Sequence, residues 1–267
     1  NKQARFLACM LLKKGLKKGE RIAIFLDNSP EYIIAFFGIL KAGGVVVPLN
    51  IHLVTRELDF LLRDCSPRFV IADFAHQVLL KGLTDKQNII LIDELKFSLK
   101  KVPENRVSAA PKTDVQDDNS LAMVVYTSGS LGQPKGVMLS HKNLLSNADS
   151  IIKYLKIQPK DRMMVILSFY YSFGISLLTT HIKVGATLVI DNQFLYPNVI
   201  LDTMEKERVT GFAGVPSHYA ILLRKSALRK HKLHSLKYVT QAGGAMPSSL
   251  IKEFLTILPA VKFYVMY

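Results

Sequence analysis

The chain of 267 residues is 49% hydrophobic and 21% charged, and its 35 Lys and Arg against 21 Asp and Glu give a formal charge of +14. That apolar content excludes a disordered or low-complexity chain, which could not offset its ordering entropy, and the length admits one large domain or two of ordinary size. Two cysteines, Cys9 and Cys65, offer no disulfide framework, which fits a reducing cytoplasm.

In chain order, residues 21–26 form a β-branched-rich run that predicts a strand. Ser29-Pro30-Glu31 then opens a helix, with Ser at the N-cap and Pro at the first helical position. Gly43-Gly44 closes it, and Val45-Val46-Val47-Pro48 predicts the next strand. Thr55 is positioned to cap a helix reaching Arg63, with strands following at 69–71 and 89–92. Residues 96–119 are polar and irregular and read as a long loop. After them, residues 121–126 predict a fully apolar strand, and Ser140 caps a helix over about 141–154. Further strands are expected at 163–167, 186–190, 211–215, 237–240 and 261–267, with helices between them.

Strands alternating with helical segments of ~10–15 residues imply βαβ units and parallel sheets buried on both faces. The strands are too many for one ordinary sheet. The expected fold is α/β, built of two βαβ subdomains: one over residues 21–150, the other from 1–20 plus 151–267. The chain opens without an initiator Met and stops inside an apolar run, so it reads as a piece of a longer protein.

The apolar run at residues 32–40 is about half the ~20 residues needed to span a bilayer, so no transmembrane segment is expected, and no leader peptide is seen. The lysines are scattered, and no basic stripe interleaved with aromatics marks a nucleic-acid face. No nucleic-acid partner is therefore expected, although a positive field favours anionic ligands such as nucleotides. The seven histidines lack metal-ligand spacing, and Cys9 and Cys65 have no Cys-x-x-Cys partner, so no structural metal is expected. His141, in the first turn of its helix, reads as a capping or surface residue.

One stretch carries chemistry: Tyr126-Thr127-Ser128-Gly129-Ser130-Leu131-Gly132-Gln133-Pro134-Lys135-Gly136. Glycines let a backbone approach an anion closely, N–H groups and hydroxyls donate to phosphate oxygens, and a lysine adds a mobile positive charge. The composition suits a phosphate cradle, but on composition alone a flexible loop without a ligand stays open. It is not the P-loop pattern, because Pro134 and Gly136 replace the required Gly and Ser/Thr.

The order Thr-Ser-Gly-Ser-x-Gly-x-Pro-Lys-Gly, followed by Val-x-x-x-His, resembles the signature of the AMP-forming adenylating superfamily. That family comprises acyl- and aryl-CoA synthetases, peptide-synthetase adenylation domains and firefly luciferases. Residues 27–50 resemble its first βαβ unit, Gly214-Val215-Pro216-Ser217 its strand-to-helix turn beside the acyl pocket, and Gln241-Ala242-Gly243-Gly244-Ala245-Met246-Pro247 its adenine-binding turn. The resemblance spans essentially the whole chain. It implies an acid–thiol ligase in which a carboxylate attacks the α-phosphate of ATP, pyrophosphate leaves, and the acyl group passes to coenzyme A or to the phosphopantetheine of an acyl carrier protein. A carrier-loading adenylation domain, and a non-catalytic nucleotide-binding protein of the same fold, are the alternatives.

On this resemblance Thr127, Ser128, Gly129, Ser130, Gly132, Lys135 and Gly136 would hold the β- and γ-phosphates. Gly243, Gly244 and Ala245 would pass close to adenine, and Tyr267 would stack on it. Ser168-Phe169-Tyr170-Tyr171-Ser172-Phe173-Gly174 aligns with a segment that gates the carboxylate site, with Tyr171 in the gating place and Ser168 in place of a Pro. That segment carries no Asp to pair an α-ammonium, which argues for an uncharged acyl or aryl tail over an amino acid. Phe173, Gly174, Gly214 and Val215 suggest an apolar pocket, with the glycines leaving room for a long tail. The Mg2+ site, the ribose-binding Asp and the catalytic lysine of the family fall beyond residue 267. No catalytic residue is therefore assigned, and the chain alone is expected not to adenylate.

Overall fold

The computed structural model describes residues 1–95, 118–127 and 133–266, which divide into two compact units, Asn1–Leu145 and Ser146–Tyr267. Ser128, Gly129, Ser130, Gly132, Tyr267 and most of the expected loop at 96–119 lie outside the described residues.

In the first unit a six-stranded sheet is built from β1 (Arg21–Phe25), β2 (Val45–Pro48), β3 (Phe69–Ala72), β4 (Ile89–Leu91), β5 (Leu121–Thr127) and β6 (Lys135–Ser140). The order is β4-β3-β1-β2-β5-β6, with β5 and β6 an antiparallel hairpin and the other pairs parallel. Ile22, Ile24, Val46, Val70 and Ile71 are all fully buried. Such unbroken apolar runs are what a parallel sheet covered on both faces requires.

Helices α1 (Lys2–Lys13), α2 (Pro30–Lys41) and α3 (Thr55–Cys65) pack in this unit. Ser29 caps α2 as expected: its Oγ accepts from the Tyr32 N–H at 3.1 Å, with Pro30 at the first helical position. Thr55 does not cap α3. It is the first helical residue, and Glu57 instead accepts from the Val54 N–H at 3.2 Å. The N-terminal helix, expected with the second subdomain, belongs to the first. Its buried stripe Ala4, Leu7, Ala8 and Leu11 recurs at helical spacing. Leu7 fills the notch left at Gly38 of α2, where an added Cβ would sit 2.8 Å from Leu7 Cδ2.

In the second unit β7 (Arg162–Val165), β8 (Thr187–Ile190), β9 (Gly211–Gly214), β10 (Tyr238–Gln241) and β11 (Lys262–Val265) form a parallel sheet in the order β11-β10-β9-β7-β8. The helix α4 (His141–Leu155) carries the division between units, and α5 (Ser172–Val184), α6 (Pro197–Lys206), α7 (Pro216–Lys225) and α8 (Ser248–Ile257) follow. Tyr219 organises the core. Its ring meets Phe212, Phe254 and Phe263 with centroids 5.7, 5.4 and 5.0 Å away, and its hydroxyl donates to the Thr240 carbonyl at 2.6 Å.

The amino ends of three strands are tied by one buried carboxylate. Asp161, 3% exposed, accepts from Lys237 Nζ at 2.7 Å, Thr210 Oγ1 at 3.2 Å and the Gln158 N–H at 2.7 Å. Burial pushes its carboxyl up, but Lys237 and the other donors outweigh burial and hold it below its ordinary value.

Leu7→Ala is expected to destabilise the protein by about 2–4 kcal/mol, because the notch at Gly38 would be left empty. Chemical denaturation measures this, and a change below about 0.5 kcal/mol would mean that α1 is not docked as described.

Candidate functional site

The β5–β6 hairpin sets Thr127 opposite Lys135 and Tyr126 opposite Gly136. Thr127, Lys135 and Gly136 are all exposed, so a hydroxyl and an ammonium stand at the two feet of the connecting loop. Gly136 is there because the sheet leaves no space for a side chain: an added Cβ would lie 2.9 Å from Val124 Cγ1 and 3.4 Å from Tyr126 Cε1. The Tyr126 hydroxyl donates to the carboxylate of Asp64 on α3. Burial, then that hydrogen bond, keeps the phenol protonated, and burial pushes the neighbouring Cys65 thiol up to about 11. Past the hairpin, Ser140 caps α4 reciprocally: its Oγ accepts from the Asn143 N–H at 3.2 Å while Asn143 Oδ1 accepts from the Ser140 N–H at 2.9 Å. His141 is the first helical residue there, and its N–H donates to the Ser120 carbonyl at 3.1 Å.

The other expected residues lie in the second unit and leave its sheet at one edge. All five strands run parallel, so Gly214, Gln241 and Val265, which share a register, end together. In such sheets the crevice outside the carboxyl ends of the strands is where ligands bind. Gly214 ends β9 and Val215 follows it, while Gly243, Gly244 and Ala245 follow β10 and are exposed. Gly243 has φ +81°, a conformation that favours glycine, and an added Cβ there would lie 3.3 Å from Val215 Cγ1. The two turns therefore abut. Tyr171, following β7, is 55% exposed and packs edge-on to Tyr170 with ring centroids 4.6 Å apart, while Phe173 is half-buried.

The expected room at the two pocket glycines is not there. A Cβ on Gly174 would fall 2.1 Å from the Ser168 carbonyl oxygen, and one on Gly214 would meet His218 Cβ at 3.1 Å and Tyr219 Cε2 at 3.3 Å. Both glycines serve close packing of the chain against itself. Of the residues expected in the pocket, Tyr171, Phe173 and Val215 supply apolar side chains at this edge.

From the sequence alone Gln241 falls in the expected adenine-binding turn without a role, and His218 is missed. Gln241 is fully buried, and its Nε2 donates to the Gly244 carbonyl at 2.8 Å, so it braces the glycine turn from beneath. Only its place as the last strand residue before the glycine turn could have signalled this. His218 accepts from the Val215 N–H through Nδ1 at 3.3 Å and packs at a tilt against Phe194, with ring centroids 4.4 Å apart. Burial drops its pKa to about 4, so the ring is neutral near pH 7 with its proton on Nε2. The signal was its position, three residues after Val215 at the start of a proline-led helix.

Cavities of about 430 and 670 Å³ open elsewhere, at the amino ends of the strands: one beside Lys18, Arg21 and Arg68, the other beside Arg162, Arg208 and Lys237. Among the described residues no group of three or more His, Cys, Asp or Glu could hold a metal ion, and no helix is long and apolar enough to cross a membrane.

A family model described as AMP-binding enzyme matches residues 1–267. The chain is 28% identical over 256 residues to gramicidin S synthase 2 from Brevibacillus brevis, covering 95% of this chain and 6% of that protein. It is 28% identical over 290 residues to a long-chain-fatty-acid–CoA ligase of Bacillus subtilis (strain 168), covering 95% of this chain and 50% of the ligase. It thus spans about half the length of that ligase. The inhibitor-bound N-terminal domain of FACL13 from Mycobacterium tuberculosis matches with a TM-score of 0.88 and 25% identity, covering 100% of this chain and 67% of that one.

Gly174→Ala is expected to cost about 3 kcal/mol in denaturant unfolding, since the obstructing atom is backbone and cannot swing aside. A near-neutral outcome would mean that the helix start gives way without cost. His218 generates a pH dependence. Above its ordinary value of 6.5 the ring is neutral in folded and unfolded chains alike; as pH falls from 6.5 towards about 4 only the unfolded chain takes up the proton. Stability should therefore fall on acidification, by roughly 2 kcal/mol between pH 7 and pH 4.5 from this group. The difference between the unaltered protein and His218→Gln, followed by denaturation across that range, isolates it.

Proposed function

The chain belongs to the AMP-binding enzyme family, and from that premise we propose that its β5–β6 hairpin holds the triphosphate of ATP during the activation of a carboxylic acid. In that reaction a carboxylate oxygen forms a bond to the α-phosphorus, the bond from that phosphorus to the bridging oxygen breaks, and pyrophosphate departs with the electron pair. Such a transfer depends on positioning and on neutralising charge rather than on covalent help from the protein. Lys135 supplies a mobile cation and Thr127 a hydroxyl donor, while Ser128, Gly129, Ser130 and Gly132 add hydroxyls and main-chain N–H groups in the loop between them. The observation that carries the reading is the placement of Thr127 and Lys135 directly opposite each other, both exposed, at the base of a glycine- and serine-rich connection.

To the second unit we assign adenine and the acid. Gly243, Gly244 and Ala245 offer bare backbone to a flat ring, with Gln241 bracing the turn, and Tyr267 is assigned to stack on it. Tyr171, Phe173 and Val215 are assigned to the acid's tail. The segment from Ser168 to Gly174 carries no carboxylate to receive an ammonium, so the substrate is an acyl or aryl acid. We assign the final acceptor as a thiol: coenzyme A, in keeping with the likeness to the fatty-acid–CoA ligase. The likeness to a gramicidin S synthase supports a second reading, in which the thiol belongs to a carrier protein. Mg2+ is assigned no ligand among the described residues, and no step is routed through it.

Isothermal titration with ATP tests the hairpin assignment. Lys135→Ala should weaken binding by about 1.5–3 kcal/mol, the range for a charge-assisted hydrogen bond; unchanged affinity sinks it. A carboxylic-acid panel on the intact protein, read by pyrophosphate release, tests the substrate class. Fatty or aromatic acids should be turned over, and a preference for free α-amino acids, or ATP binding without any turnover, refutes the assignment.

A further inference from the structure

The hairpin assigned to phosphate forms one edge of its sheet. β5 is registered with β2 at Val46 and Met123, and past that point its remaining partner is β6, the strand at the sheet's edge. Residues 124–127, which lead directly into the loop, are registered with that edge strand alone, so a tie from outside the ladder adds to what sets their direction. Tyr126 supplies it. Its ring lies over Gly136 on the opposite strand, within 3.4 Å of the position a Cβ would take, and its hydroxyl donates to Asp64. One side chain thus spans both feet of the loop and reaches a helix.

Asp64 in turn stands on fixed ground. It sits in the last turn of α3, whose end is closed by Ser66 in the left-handed region at φ +41°, with the Ser66 N–H donating to the Leu62 carbonyl at 2.9 Å. The guanidinium of Arg21, the first residue of β1, donates to the carbonyl of Cys65 and, at 3.5 Å, to that of Ser66. The Arg68 N–H donates to the Arg21 carbonyl at 2.7 Å. A continuous set of bonds therefore runs from a central strand through the helix end to the hairpin.

Resting on the function proposed above, we propose that Asp64 and Tyr126 are a positioning pair that sets the aim of the phosphate-binding loop. Neither touches the nucleotide. Their bond fixes where Thr127 and Lys135 stand, so that less ordering is left to be done when the triphosphate arrives.

The test is titration of ATP and of AMP against the unaltered chain and four variants, with a thermal melt of each. Tyr126→Phe keeps the ring over Gly136 and removes the hydroxyl; Asp64→Ala removes the acceptor; Asp64→Asn retains an acceptor oxygen; the fourth combines the first two. Tyr126→Phe and Asp64→Ala should each weaken ATP about tenfold, equivalent to ~1.4 kcal/mol, and leave AMP, which lacks the outer phosphates, unchanged. The double variant should be no worse than either single one, and Asp64→Asn should stay close to the unaltered chain. ATP affinity that survives Tyr126→Phe overturns the pairing, as does a melt that drops while ATP and AMP weaken together, which marks a structural role only. If the unaltered chain does not bind ATP, the hairpin's assignment fails and the pairing fails with it.

Discussion

Strands covered on both faces leave a protein few places for polar chemistry. In the first unit the central strands β1, β2 and β3 are buried and, after Arg21, apolar throughout; in the second they are buried with few polar exceptions such as Thr240 and Gln241, because parallel pairing places helices above and below. Polar and flexible groups are then confined to where the chain leaves a strand. The glycine turns at 214–215 and 243–245 and the tyrosine at 171 all occupy such positions, and the hydroxyl-rich loop occupies the end of β5. This constraint, more than any single contact, decides which residues are available to meet a ligand. It also explains why cavities at the opposite, amino-terminal edges are lined by arginines and lysines. There the strands begin, and a chain with 35 basic and 21 acidic residues places part of its excess charge in water.

Much of this was legible in the residues. Unbroken valine and isoleucine runs named the buried strands, Ser29-Pro30 named a helix start, and the alternation of strand and helix named the class of fold. The string from Thr127 to Gly136 pointed to the family, since the order of its glycines, hydroxyls and lysine resembles that family's signature. What stayed hidden depended on partners far along the chain. Nothing in residues 2–13 says that Leu7 will meet Gly38. Thr55 has the chemistry of a cap, but Glu57 two residues later reaches back and does the work. Gly174 and Gly214 read as open space because a glycine's neighbours are invisible until the fold brings Ser168, His218 and Tyr219 against it.

The same limit applies to supporting residues. His218 and Asp64 have no motif of their own, and the motif that Gln241 opens says nothing of its bracing role. Each acts on a segment that has a motif: a side-chain amide under a glycine turn, an imidazole holding the first N–H of a helix, a carboxylate on a tyrosine beside a loop. Loops that bind anions need backbone freedom, and freedom must be bounded by something rigid nearby. Here the bounding groups come from a strand end, a helix start and a helix end, which is where unsatisfied main-chain groups concentrate.

The docking of the first helix onto α2 has a consequence for how the protein is made. Because that helix joins the unit it precedes, each unit is one uninterrupted stretch of polypeptide, with the division at residues 145 and 146. Among the described residues neither takes a segment from the other. As the ribosome releases the chain, the amino-terminal half can bury its leucines and valines while the remainder is still being synthesised. A first helix shared with the second unit would have left its leucines exposed until residues 146–267 had also been made.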